Sequence, residues 1–172
     1  MVHVATQCEG CGAPGPDDPI DIGLRLRTDA IEITISNRGE TPVDVLWDRA
    51  SLVDTAGDTW GVVRSGAAGG SPTPDVPGNV TRIPAHASLT DYLLPTRSVR
   101  FDAYYGWIVE PVLPVECGPI RCVGYHELVG KSVRLTLPVQ VNGEERVFEW
   151  TLRITETVKS TRGARPSDPN LH

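Results

Sequence analysis

The strongest constraint on the fold is a long alternation of apolar and polar residues near the end of the chain. Its apolar members are Val133, Leu135, Leu137, Val139 and Val141 before Asn142-Gly143, then Phe148, Trp150, Leu152 and Ile154 after it. A period of two places alternate side chains on one face of a strand, and Asn-Gly supplies the positive φ angles of a tight hairpin turn. The segment predicts two antiparallel strands with one buried face.

The same period recurs earlier in the chain. It is clearest in residues 20–26, 31–35 and 88–94, and a turn at 55–58 separates two shorter apolar stretches. No window of ten residues keeps a helical period free of Pro and Gly. About eight strands joined by frequent turns predict an all-β fold. We expect an antiparallel two-sheet sandwich of the immunoglobulin-like kind, with an open barrel as the alternative.

One domain accounts for the length of 172 residues. Residues 1–19 end in a Pro-rich, acidic stretch and are predicted to form a flexible tether. Residues 20–158 carry the strands. Residues 159–172 are polar, contain two prolines and are predicted to be disordered.

Charge and hydropathy exclude two classes of partner. The net charge is -6, with both signs scattered and no basic stripe for a phosphate backbone, so no nucleic acid partner is expected. No apolar run approaches the roughly 20 residues that span a bilayer. A membrane is therefore expected only through a lipid anchor, and a protein partner is the expected ligand.

Residues 31–60 carry a family resemblance. They contain Ile-Thr-Ile-Ser-Asn-Arg-Gly-Glu and later Leu-Val-Asp-Thr-Ala-Gly-Asp, and an Ile-Pro element follows at 83–88. This order resembles the opening strands of bacterial immunoglobulin-like envelope domains, including telokin-like secreted proteins and the intracellular-proteinase-inhibitor-like family. The resemblance implies a sandwich fold and a place in the cell envelope.

A second resemblance lies at Cys11. The residues that follow it, Gly12 to Pro19, resemble the tether after the lipidated cysteine of bacterial lipoproteins, although Cys8-Glu9-Gly10 stands where those proteins carry small apolar residues. The resemblance implies lipidation of Cys11 and tethering in the periplasm or at the outer membrane.

The four cysteines allow a disulfide, a zinc site or free buried thiols. A disulfide between Cys117 and Cys122 would close a short loop through Gly118-Pro119, as in exported domains. Alternatively, closely spaced thiolates can converge on one zinc ion. The alternative site, in a cytoplasmic zinc-stabilised interaction domain, comprises Cys8, Cys11, Cys117, Cys122 and His126. Otherwise no cofactor is expected.

Tyr104, Tyr105 and Trp107 lie close together in the sequence. Amphipathic rings give large contact areas at low entropic cost, so these three, with Tyr92 and Phe101 nearby, are a candidate binding platform for a protein or carbohydrate partner. The alternative is that one or two of them fill the core between the sheets and the rest cap an edge.

Catalytic motifs are missing from the sequence. There is no Gly-x-Ser-x-Gly or Ser-x-x-Lys, and His126-Glu127 lacks the second histidine of a zinc peptidase. A non-enzymatic protein is therefore expected, unless Asp102, Glu110, Glu116 and His126 converge. Asp54 and Asp58 are predicted to flank a solvated turn, with weak calcium binding as the alternative, and His86 is predicted to be solvated.

Overall fold

A computed structural model describes residues 2–10, 18–65, 79–113 and 125–159. Within these ranges the chain forms twelve strands, three single 3₁₀ turns and no α-helix. The strands are β1 (Val2–Glu9), β2 (Ile20–Leu26), β3 (Ile31–Asn37), β4 (Val43–Leu46), β5 (Ser51–Val53), β6 (Thr59–Arg64), β7 (Val80–Ile83), β8 (Ser88–Pro95), β9 (Val99–Asp102), β10 (Gly106–Val109), β11 (Ser132–Val141) and β12 (Glu144–Lys159). The 3₁₀ turns are Trp47–Arg49, Thr96–Ser98 and Tyr125–Leu128.

Ten strands belong to one antiparallel sheet. Its main order is β1-β12-β11-β5-β6-β8-β3-β2, and β4 pairs with both β11 and β7. The strands at the two ends, β1 and β2, contact each other, so the sheet is nearly closed. The remaining strands, β9 and β10, form a two-stranded sheet of their own.

Strand β6 joins the two halves of the large sheet. Its first part pairs with β5, where Gly61 faces Ser51, and its second part pairs with β8, where Val63 faces Leu94. A strand that changes partner along its length links the strands on either side of it into one continuous sheet. The all-β, antiparallel prediction is confirmed, and twelve strands replace the expected eight.

The alternating residues form the core, as their period predicts. In β3, Ile31, Ile33 and Ile35 are fully buried and the intervening residues are not. The largest fully buried side chains are Trp47, Ile20, Leu26, Ile31, Ile33, Ile35, Leu52, Leu93, Leu94, Leu113, Leu135 and Leu137. At the final hairpin, Asn142 and Gly143 both have positive φ, at 51° and 82°. The predicted turn is confirmed.

The start of the chain corrects one expectation. Val2–Glu9 form β1 and pair antiparallel with β12, from Val2 opposite Lys159 to Glu9 opposite Thr151. The tether predicted for residues 1–19 is therefore wrong over this strand, because backbone pairing with a distant strand fixes a segment whose own pattern is weak. Residues 11–17 lie outside the described residues, as do residues 160–172 of the tail predicted for 159–172, whereas Lys159 belongs to β12.

No helix in the described part of the chain has the length and hydropathy needed to cross a bilayer.

Candidate functional site

Strands β9 and β10, with the turn between them, form what we call the aromatic hairpin (residues 99–109). Phe101 lies opposite Trp107, and Val99 lies opposite Val109. Residues directly opposite each other share a face of the sheet. On that face Phe101, Trp107 and Val109 are 65%, 40% and 47% exposed, while Val99 packs against the core. One face of the hairpin is therefore apolar and open to solvent.

The tip of the aromatic hairpin is held by Asp102. Its Oδ1 accepts the backbone N–H groups of Tyr104 and Tyr105 at 2.8 and 2.9 Å. The amides of Tyr105 and Tyr104 hold the pKa of Asp102 below its ordinary value, because they stabilise the carboxylate. The turn leaves both tyrosine rings outside, 87% and 76% exposed. The core interpretation of these residues and of Trp107 is therefore wrong.

The exposed rings pack in two perpendicular pairs. The ring centroids of Phe101 and Trp107 lie 5.3 Å apart with an interplanar angle of 73°, and those of Tyr104 and Tyr105 lie 4.9 Å apart at 77°. Edge-to-face pairs of this kind contribute about 0.5–1.5 kcal/mol each beyond the area that they bury. The rings hold one another in place, but they do not share a plane.

Both ends of the aromatic hairpin are anchored. Glu110 N–H donates to the carbonyl of Ser98 at 2.7 Å, and Leu113 N–H donates to the carbonyl of Thr28 at 3.1 Å. Val112 and Leu113 are buried in the core. The hairpin is thus a defined surface on a fixed base.

No protein-family model, curated protein or solved structure matches the chain. The site is therefore interpreted from its own geometry.

A buried carboxylate lies close to the base of the aromatic hairpin. Asp54 accepts hydrogen bonds from Trp60 Nε1 at 2.9 Å and from the N–H groups of Ala56 and Asp58 at 2.9 and 3.1 Å. Arg97, two residues before β9, places Nε 3.0 Å from Asp54 Oδ2. The solvated turn predicted for Asp54 is wrong, because its carboxylate caps the turn from inside.

The charge state of Asp54 follows from these contacts. Burial alone would raise its pKa, but the hydrogen bonds from Trp60, Ala56 and Asp58 and the charge of Arg97 outweigh the burial. The pKa of Asp54 lies below its ordinary value, so the group is an anion at neutral pH. It acts as a structural anchor, and its engaged oxygens leave no arrangement for calcium.

Most of the cysteines for which the sequence predicts a role lie outside the described residues. Cys117, Cys122 and Cys11 lie outside the described residues, as does the side chain of His126. Cys8 is in β1, opposite Leu152, and its sulfur is in a disulfide bond. A disulfide sulfur has no thiolate to offer zinc. Within the described residues, no three His, Cys, Asp or Glu side chains form a group that could hold a metal ion.

Strand β1 also conflicts with the lipidation predicted for Cys11. Processing of a lipoprotein makes the lipidated cysteine the first residue of the mature chain. That cut would remove Val2–Glu9, which pair with β12 along their whole length. Lipidation of Cys11 would therefore remove β1 from the sheet.

Of the other candidate polar residues, the two that the structure describes, Asp102 and Glu110, make separate contacts. Glu110 pairs with Arg100 at 3.6 Å, and Asp102 is engaged in its own turn. Glu116 lies outside the described residues. His86 is exposed, as predicted, with Nε2 3.2 Å from Glu40 Oε2.

Sequence reasoning named Phe101 only as a neighbour of the candidate platform and did not name Val109. Their signal is an alternation of apolar residues, in which Val99 and Phe101 are mirrored by Trp107 and Val109 across a turn that contains Gly106. Both strands have only four residues, which is too short for the period to stand out.

Proposed function

We propose that this chain is a non-enzymatic binding domain that engages a protein partner through the aromatic hairpin. The observation that carries the proposal is the open apolar face of Phe101, Trp107 and Val109, with two tyrosines exposed at the tip. Monomeric proteins rarely leave such a cluster uncovered without a binding role. Trp and Tyr are also the residues most enriched where binding energy concentrates.

Ring geometry favours a protein over a carbohydrate. A sugar ring stacks on a flat aromatic surface, whereas the two ring pairs here stand at 73° and 77°. Perpendicular rings present edges as well as faces, which suits insertion into an apolar pocket. The hairpin also carries little net charge to attract an anionic membrane, since Arg100 is paired with Glu110 and Asp102 is acidic.

We also propose a fold class for the large sheet that carries the aromatic hairpin. We take the two halves of the nearly closed sheet, joined by β6, as the two layers of an immunoglobulin-like sandwich. In such folds the recognition surface lies on loops and hairpins that the layers hold in place. The aromatic hairpin has that relation to the large sheet.

Photo-crosslinking tests the hairpin directly. A photoreactive phenylalanine analogue replaces Tyr104 in one form of the protein and Val147 in a control form, and both are irradiated in the native host. Val147 is a matched control because it is an exposed apolar residue on β12. We expect one discrete protein adduct at position 104 and none at 147.

A second variant checks that the adduct depends on the apolar face. Trp107→Ala is expected to weaken the binding by about 2 kcal/mol or more, which removes the adduct at position 104. Equal adducts at positions 104 and 147, or retention of the purified protein on glycans or vesicles in place of a protein, would refute the proposal.

The compartment that we propose is the cell envelope or another oxidising space. The disulfide at Cys8 supports it, because disulfides persist where thiols are not kept reduced. Alkylation of the protein in freshly lysed host cells, followed by mass spectrometry, is expected to leave Cys8 unmodified until a reductant is added. Alkylation of Cys8 without reductant would place the protein in a reducing compartment.

A further inference from the structure

A second surface of the domain gathers positive charge for which the described residues supply no ion-pair partner. Eight of the eleven arginines in the described residues form ion pairs with Asp or Glu. Arg25, Arg134 and Arg153 form none there, and neither does Lys131. Three of these four cations, Lys131, Arg134 and Arg153, lie near one another around the start of β11.

The sheet register brings these cations together. Arg134 on β11 lies opposite Val53 of β5, and Ser132 lies opposite Arg153 of β12. Arg134 and Arg153 are therefore diagonal neighbours on the outer face of the sheet. Like charges at this spacing repel each other, so an anion bound beside Arg134 would be stabilised.

A cavity of about 340 Å³ lies beside these cations. One wall is the turn between β5 and β6, residues 53–57, and the other is the start of β11, residues 130–132 together with Arg134. Lys131, Arg134, Thr55 and Ser132 bring an ammonium, a guanidinium and two hydroxyl groups to its lining. The volume falls in the range of about 300–1,000 Å³ that small ligands occupy.

The described acidic residues nearby, Glu9 on β1 among them, form no ion pair with these cations. Asp54 lines the cavity, but its side chain is only 4% exposed and is engaged with Arg97 and Trp60. Glu149 of β12 lies opposite Thr136. It is two residues from Thr151, which lies opposite Arg134, and it forms no ion pair with Arg134. The cavity lining therefore remains positive.

We propose that this cavity binds a tetrahedral oxyanion, either free phosphate or the phosphate or sulfate group of a small molecule. Guanidinium groups bind such oxygens through two parallel hydrogen bonds, and an ammonium adds a point charge. Four donor groups from two sides match an anion with three or four acceptor oxygens better than a planar carboxylate with two. The site is independent of the aromatic hairpin.

Titration of the ¹⁵N-labelled full chain with inorganic phosphate at constant ionic strength tests the site. We expect saturable shifts confined to the amides of residues 53–57 and 130–134. Arg134→Gln is expected to weaken binding by about tenfold or more. Arg25→Gln removes an equally unpaired and exposed arginine on β2, and is expected to leave the affinity unchanged.

Two further probes identify the anion. Sulfate and glycerol phosphate are expected to produce the same pattern of shifts, and the tighter binder of the two indicates whether phosphate or sulfate is the natural group. Acetate at the same concentration is expected to produce none. Shifts that do not saturate, that are equal for acetate, or that fall equally in Arg25→Gln and Arg134→Gln would overturn the proposal.

Discussion

Asp54→Asn is expected to destabilise the domain by about 3 kcal/mol at neutral pH. Removing one partner of a buried ion pair costs about 3–5 kcal/mol, and Arg97, which keeps 24% of its side-chain surface exposed, places this case at the lower end. An asparagine can accept the turn amides with its oxygen, but its NH₂ group then faces Trp60 Nε1 and Arg97. Urea unfolding monitored by far-UV circular dichroism measures the difference.

Asp58→Asn is the matched control, because it makes the same chemical change in the same turn on an exposed residue. A change within about 0.5 kcal/mol is expected there. A loss below about 1 kcal/mol in Asp54→Asn, or equal losses in both variants, would contradict the anchoring role of Asp54.

The effect of Asp54 also has a defined pH dependence. The folded-state pKa is lowered, so the stabilisation is fully present above the unfolded pKa of about 3.9 and is lost as the pH falls through the lower folded value. The gap between the wild type and Asp54→Asn is therefore expected to stay constant from pH 7 to about pH 5 and to narrow below about pH 4. A gap that persists at full size at pH 2 would show that charge is not its cause.

Trp47→Ala is expected to cost about 3–5 kcal/mol, the range for removing a large aromatic side chain from a core. Trp47 is fully buried, its Nε1 donates to Thr81 Oγ1 at 3.0 Å, and the guanidinium of Arg64 lies 4.8 Å from its ring centroid. Arg64 in turn pairs with Asp91. The substitution therefore leaves a cavity and removes the ring that packs against the guanidinium of Arg64. Urea unfolding measures the loss in the free energy of unfolding.

Trp47→Phe separates packing from hydrogen bonding and keeps the test informative if the alanine variant does not fold. It retains an aromatic ring and loses the Nε1 donor. Thr81 Oγ1 still accepts from Arg64 Nη1 at 2.7 Å, so no acceptor is stranded. A cost of about 1–2 kcal/mol is expected. A cost in the phenylalanine variant as large as that in the alanine variant would refute the packing argument.

Local pattern explains which strands could be predicted. Residues 31–35 and the hairpin around Asn142-Gly143 combine a strict period with sharp turns, and both are found as expected. Strand β1 pairs with β12 from the opposite end of the chain. A pairing of that range depends on tertiary contacts rather than on the eight residues themselves, so their sequence alone was insufficient.

The site was less predictable because exposure depends on what packs nearby. Tyr104, Tyr105 and Trp107 were candidates from residue type alone, yet the same residues suit a core equally well. Asp54 carried a clearer signal, since an Asp that opens a turn commonly accepts amides two residues on. Its pairing with Arg97, 43 positions later, has no trace in the local sequence.

The aromatic hairpin shares no strand ladder with the large sheet in the described part of the chain. Substitutions on Phe101, Tyr104, Tyr105 or Trp107 therefore leave the register of the other ten strands unchanged. Under the proposed binding role, selection can therefore change these side chains without altering the strand pairing of the large sheet. In a set of relatives, the positions that diversify fastest are expected to be those of the hairpin, as in the antigen-binding loops of antibodies.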